Sequence, residues 1–116
     1  LIGLELNISI LSAALRGEPT GQPHGFRGDV ASVAKRNLRA GEMLDGEGGY
    51  TVWGRLMPAA ASLAAGALPI GLAHRVKLKN DVAHGAVVRW GDVEIDANGD
   101  TIKTRKAMEA AFLARQ

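Results

Sequence analysis

The chain has 116 residues, enough for one domain with an extra helix at each end. Hydrophobic residues make up 47% of it but aromatics only 4%, so a globular core has to be aliphatic. Fourteen Lys and Arg stand against twelve Asp and Glu, dispersed along the sequence, which argues against a nucleic-acid partner, and the lack of cysteine excludes disulfides and thiolate chemistry.

Leu4, Ile8, Leu11 and Leu15 recur at helical spacing, with Ile10 and Ala14 widening the apolar face. Gly17-Glu18-Pro19 stops that helix. A helix this apolar implies a packing partner upstream. With no initiator Met and no secretory leader pattern, the chain reads as the tail of a longer soluble polypeptide, expected in the cytoplasm. Residues 20–28, rich in Gly and poor in apolar content, read as a linker.

A β-rich domain is predicted over 29–99. Strands are expected at Asp29 to Ala34, around Met43-Leu44, at Tyr50 to Gly54, His74 to Leu78, Ala86 to Trp90 and Val93 to Asp96. Pro58 followed by an Ala-rich run to Gly66 predicts a short helix. The apolar stretch from Leu56 to Ala73 is broken by Pro58, Gly66, Pro69 and Gly71, so no membrane span is predicted. Residues 100–116 read as a closing helix capped by Asp100 or Thr101, with Ile102, Met108, Ala111 and Phe112 on its apolar side.

One phrase occurs twice. Lys35 to Leu44 and Lys79 to Val88 both read Lys, any residue, Asn or Asp, a branched aliphatic, two variable residues, Gly, any residue, and two apolar residues. Such a unit suits a tight turn: Asn37 or Asp81 accepts a backbone hydrogen bond from two residues ahead, and Gly41 or Gly85 takes a positive φ. Two copies predict a small β-domain with pseudo-symmetric halves.

These residues resemble a SAF domain, the module named for sialic acid synthase, antifreeze protein and the flagellar P-ring chaperone. The likeness rests on VAKRNLRAGEML at the opening and LPIGLAHRVKLKNDVAHGAVVRWGDV at the close. It implies a mainly β fold, a β-clip of bent strands flanked by helices. The flanks, LIGLELNISILSAALRGEPTG and DTIKTRKAMEAAFLARQ, are similar to those of bacterial oxidoreductases of the homoserine dehydrogenase type that carry a C-terminal SAF domain. Among these is a reductoisomerase-like enzyme that makes the isoprenoid precursor methylerythritol phosphate with NADPH. The resemblance makes 1–19 the end of an upstream catalytic region and implies a homo-oligomer. NAD(P), with a divalent metal, is then expected in that region, and no cofactor on this segment. Asn37 departs from the Asp usual in the family's first turn and puts any salt bridge there in doubt.

No catalytic residue or GxGxxG-helix unit is read from the chain; Gly46, Gly48 and Gly49 look like a loop. His24, His74 and His84 match no common zinc spacing, and no metal site is expected. Lys35, Arg36, His74, Arg75, Lys77 and Lys79 are the candidate substrate-binding groups, suited to carboxylate or phosphate, with a solvated face as the simpler reading. By likeness to sialic acid synthases, where the SAF domain of one subunit offers an arginine to its partner's substrate, Arg36 or Arg75 takes that part. The same cations fit an alternative, an anionic-sugar binding or lid module of a sugar-acid dehydratase or synthase. Trp53 and Trp90 are expected in packing roles.

Overall fold

The computed structural model describes residues 3–113. Helix α1, Leu4–Leu11, runs on as a single π-helical turn, Ser12–Arg16, and stops where Gly17 turns left-handed at φ +64°. The N–H groups of Gly17 and Glu18 return to the carbonyls of Ala13 and Ser12, so the free helix end is closed. Leu6, Ile8, Ile10, Leu11 and Leu15 are each more than half exposed. The radius of gyration, 16.9 Å, exceeds the roughly 13 Å of a compact chain this long, as an exposed terminal helix requires.

Strand β1, Gly28–Ala34, pairs antiparallel with β3, Val52–Pro58, from Gly28↔Pro58 to Ala34↔Val52. β3 thus runs past the expected end at Gly54, because Pro58 sits at the last pair, where its missing N–H costs little. Helix α2, Ala59–Ala65, follows at once; the Ala59 N–H donates to the Arg27 carbonyl at 2.8 Å, and Gly66 ends the helix at φ +62°. A second antiparallel sheet has the order β2-β4-β5, from Met43–Asp45, His74–Leu78 and Val93–Glu94. The core between these elements is aliphatic: Leu38, Leu44, Val52, Leu68, Leu78, Val88 and Val93 are 1% exposed or less. Each buried side chain of this kind contributes about 1.5–3 kcal/mol.

Segments 32–44 and 76–88 run antiparallel, and the numbers of paired residues add to 120: Val33↔Val87, Leu38↔Val82, Met43↔Lys77 and Leu44↔Val76. Leu38 and Val82 exchange both backbone bonds, at 2.8 and 2.9 Å. The backbone bonds of the two turns around them have counterparts 44 residues away. The Gly41 N–H donates to Leu78 and the Gly85 N–H to Ala34; the Leu78 N–H donates to Glu42 and the Ala34 N–H to Ala86. Exchanging residue i with i+44 therefore leaves these turn bonds unchanged. The sequence repeat is a repeat of hydrogen bonds.

Among the described residues the architecture is mixed, with two small antiparallel sheets and three α-helices, and helical residues outnumber strand residues. The mainly β expectation is corrected on this point. The expected strand 86–90 holds only single bridges at Val87 and Arg89, and β5 ends at Glu94 before the expected Asp96. Around interlocked turns, pairing is too intermittent for long strands.

Helix α3, Asp100–Leu113, is tied back by charge; the expected end at 116 lies outside the described residues. Arg105 clamps the Asp29 carboxylate with two bonds, at 3.0 and 2.7 Å, and donates from Nε to Glu109 at 2.7 Å. The Ser62 hydroxyl from α2 completes Asp29 at 2.6 Å. Burial pushes the Asp29 carboxyl up, but the bonds from Arg105 and Ser62 outweigh it and hold it below its ordinary value. Arg105 also lies over the Phe26 ring and Lys106 over Trp90. Ile102, Met108 and Phe112 are half-buried as expected, whereas Ala111 is exposed.

Candidate functional site

The two turns set the positions of the candidate cations. Gly41 and Gly85 take φ of +88° and +78°, as expected. Asn37 and Asp81 differ from expectation, since neither bonds within its own turn. Asn37 Oδ1 accepts the His84 N–H at 2.9 Å, and Asp81 Oδ1 accepts the Ala40 N–H at 2.8 Å. Each side chain caps the opposite turn, because the antiparallel ladder brings that turn alongside. Arg39 adds an ion pair to Asp81 at 2.8 Å. The position equivalent to Arg39 is Ala83, so the neutral Asn37 has no cation to satisfy. The missing charge at Asn37 is matched by a missing partner.

Lys35 and Arg36 are engaged internally. Lys35 Nζ donates to the Gly49 carbonyl at 2.5 Å, and Arg36 holds Glu42 with two bonds, at 3.2 and 2.6 Å. That arginine, then the Arg39 N–H, keeps the Glu42 carboxyl below its ordinary range. The segment from Asp45 to Thr51 is wound around the Asp45 carboxylate. It accepts from the Thr51 hydroxyl, the Tyr50 N–H and the Thr51 N–H, which bring its pKa down to about 2. His74 Nδ1 lies 3.0 Å from the Asp45 carbonyl. Gly46 and Gly49 are required here: a Cβ on Gly46 would come within 2.6 Å of His74 Nδ1, and one on Gly49 would meet the Asp45 carboxylate. The glycines serve a carboxylate-centred loop.

Arg75, Lys77 and Lys79 differ from these. All three are exposed, and among the described residues none has an ion pair or side-chain hydrogen bond. Val76 and Leu78 turn toward the core, so Lys77 faces outward on β4, and Lys79 follows it just past the strand's end. Arg75 is the extra residue of a β-bulge. Leu44 pairs with Val76 and Asp45 with His74, leaving Arg75 unpaired at φ +56°, a left-handed value unusual for arginine. The six cations are therefore not one patch. Lys35 and Lys79 occupy equivalent positions on opposite sides of the Leu38–Val82 pair. Lys35, Arg36 and His74 support the fold locally, while Arg75, Lys77 and Lys79 present free charge.

His24 and His84 are exposed, and no group of three metal-ligating side chains occurs among the described residues. Trp53 is 43% exposed on β3, whereas Trp90 packs half-buried against the core. Among the described residues no helix is long and apolar enough to cross a membrane. Sequence reading missed the Asp29–Ser62–Arg105–Glu109 cluster, whose members are up to 80 positions apart. The chain matches no protein-family model, and no curated protein matches it.

Proposed function

We propose that this chain is the C-terminal SAF-like domain, a β-clip, of a cytoplasmic NAD(P)-dependent oxidoreductase of the homoserine dehydrogenase type. Its role is to stabilise a dimer or to line the catalytic cleft, and hydride transfer belongs to the upstream region. The observation that carries this reading is the exchange of backbone bonds between the two turn units, which suits a clip of two equivalent halves. The exposed apolar residues of α1 support it, since they suit packing against a catalytic domain. Within this group, the narrower proposal is a reductoisomerase-like parent in methylerythritol phosphate synthesis. The test is the complete reading frame, expressed and assayed for NAD(P)H oxidation beside residues 1–116 alone. The parent is expected to turn over and to form a homo-oligomer, and the short chain to be inactive. An upstream region without a nucleotide-binding strand, Gly-rich loop and helix overturns the reading, as does reductase activity of the short chain.

A second reading, an anionic-sugar binding or lid module, is favoured by the free charges of Arg75, Lys77 and Lys79. Calorimetric titration with sugar acids and sugar phosphates tests it. Binding that weakens in Arg75→Ala supports it, and no heat at millimolar ligand contradicts it.

A further inference from the structure

Two arginines outside the set above line one concavity, and neither forms an ion pair among the described residues. Arg55, on β3 opposite Ala31, and Arg89, held by its bridge to Ala67, border a cavity of about 380 Å³. Neither guanidinium has a hydrogen bond or ion pair among the described residues. Two acids also line the cavity: Asp81 is paired with Arg39, whereas Asp92 accepts only from neutral donors and keeps its charge. Asp81 is bonded by Ala40 and Arg39, and Asp92 by the Asn80 side chain at 3.2 Å and the Arg89 N–H at 2.9 Å. Each carboxylate thus has both oxygens engaged, and neither makes an ion pair with Arg55 or Arg89. The rest of the wall is apolar, with Met57, Ala65 and Val87 contributing.

We infer that this cavity binds a small organic oxyanion, a phosphate or carboxylate joined to a compact apolar body. Two guanidiniums from separate elements can each offer a pair of parallel N–H donors to one oxyanion. The volume lies within the range of small-molecule sites, and the apolar wall takes the ligand's body. Backbone pairing fixes where both arginines leave the chain, while their side chains are ordered on binding. This inference is independent of the parentage proposed above and concerns residues that neither reading there uses.

The test is an NMR titration of the isotopically labelled full chain with phenyl phosphate, benzoate and inorganic phosphate. Phenyl phosphate or benzoate is expected to shift the Nε–H signals of Arg55 and Arg89 at millimolar concentration, more strongly than inorganic phosphate does. The double variant R55Q/R89Q is expected to bind about tenfold or more weakly, with the Leu38 and Val82 amide signals unmoved as a check on the fold. R55K/R89K keeps the charge without the fork and is also expected to weaken binding, while K77Q/K79Q leaves it unchanged. No shift at millimolar probe overturns the site. Equal affinity in R55K/R89K, or an equal loss in K77Q/K79Q, also overturns it, since either reduces the effect to diffuse charge.

Discussion

The turn at 37–42 and the turn at 81–86 share every backbone bond and almost no side-chain chemistry. The first has Arg36 clamped on Glu42, and Glu42 accepting the Arg39 N–H at 2.6 Å; the second has Asn80 and Ala86 at the same positions. The Arg39–Asp81 ion pair likewise faces an uncharged Ala83 and Asn37 across the repeat. What both turns keep is the Leu38–Val82 exchange, a left-handed Gly and an oxygen acceptor at position three of the repeat. The fold therefore depends on those features, and the ion pairs, one within the first turn and one from Arg39 to Asp81 across the two, are additions to them. Exposed ion pairs contribute little in any case.

The difference between the turns can be tested by substitution, in order of expected effect. Leu38→Ala removes a side chain 1% exposed at the centre of the ladder and should cost about 2–5 kcal/mol, measured by urea denaturation. Gly41→Ala and Gly85→Ala come next. An added Cβ meets nothing within 4 Å at either site, so only the positive φ opposes it. Each should cost about 1–2 kcal/mol, and the two should agree closely. Unequal costs would break the equivalence of the turns.

Asp81→Ala should lower the melting temperature more than Asn37→Ala, because both lose a cap but only the first also loses Arg39. That excess should vanish in high salt, where exposed pairs are screened. The smallest effect is an acid asymmetry. The Asp81 carboxyl is held below its ordinary value by the Ala40 N–H and then Arg39, and Glu42 is lowered mainly by Arg36. A lowered folded-state pKa contributes stability above the unfolded value, and that stability is lost as pH falls through the folded one. Starting from an ordinary 4.5 for Glu42 and 3.8 for Asp81, acidification should lower the protection of the Ala40 amide relative to its intrinsic exchange rate at each pH. The His84 amide, capped by the neutral Asn37, should change less. Hydrogen exchange followed by NMR reads both sites in one sample.

The repeat itself was legible, since Lys, Asn or Asp, aliphatic and Gly recur at fixed spacing and the aliphatics are the buried members. Strand 74–78 and the short helix after Pro58 were legible from alternation and Ala content. The partners of Asn37 and Asp81 were not, because a local pattern cannot show that an acceptor reaches across 40 or more residues. The same distance hid the Asp29–Arg105 clamp, 76 positions apart. Local reading of the candidate cations could not show which of them are already engaged within the fold. Lys35 and Arg36 are engaged, and Arg55 and Arg89, unremarkable in sequence, are free.

The central claim is that the two repeats bond to each other instead of closing separately. Scalar couplings across hydrogen bonds, measured by NMR between amide nitrogens and carbonyl carbons, test it directly. Reciprocal couplings are expected from Leu38 N to the Val82 carbonyl and from Val82 N to the Leu38 carbonyl. Absence of both, or couplings confined within each turn, would contradict it.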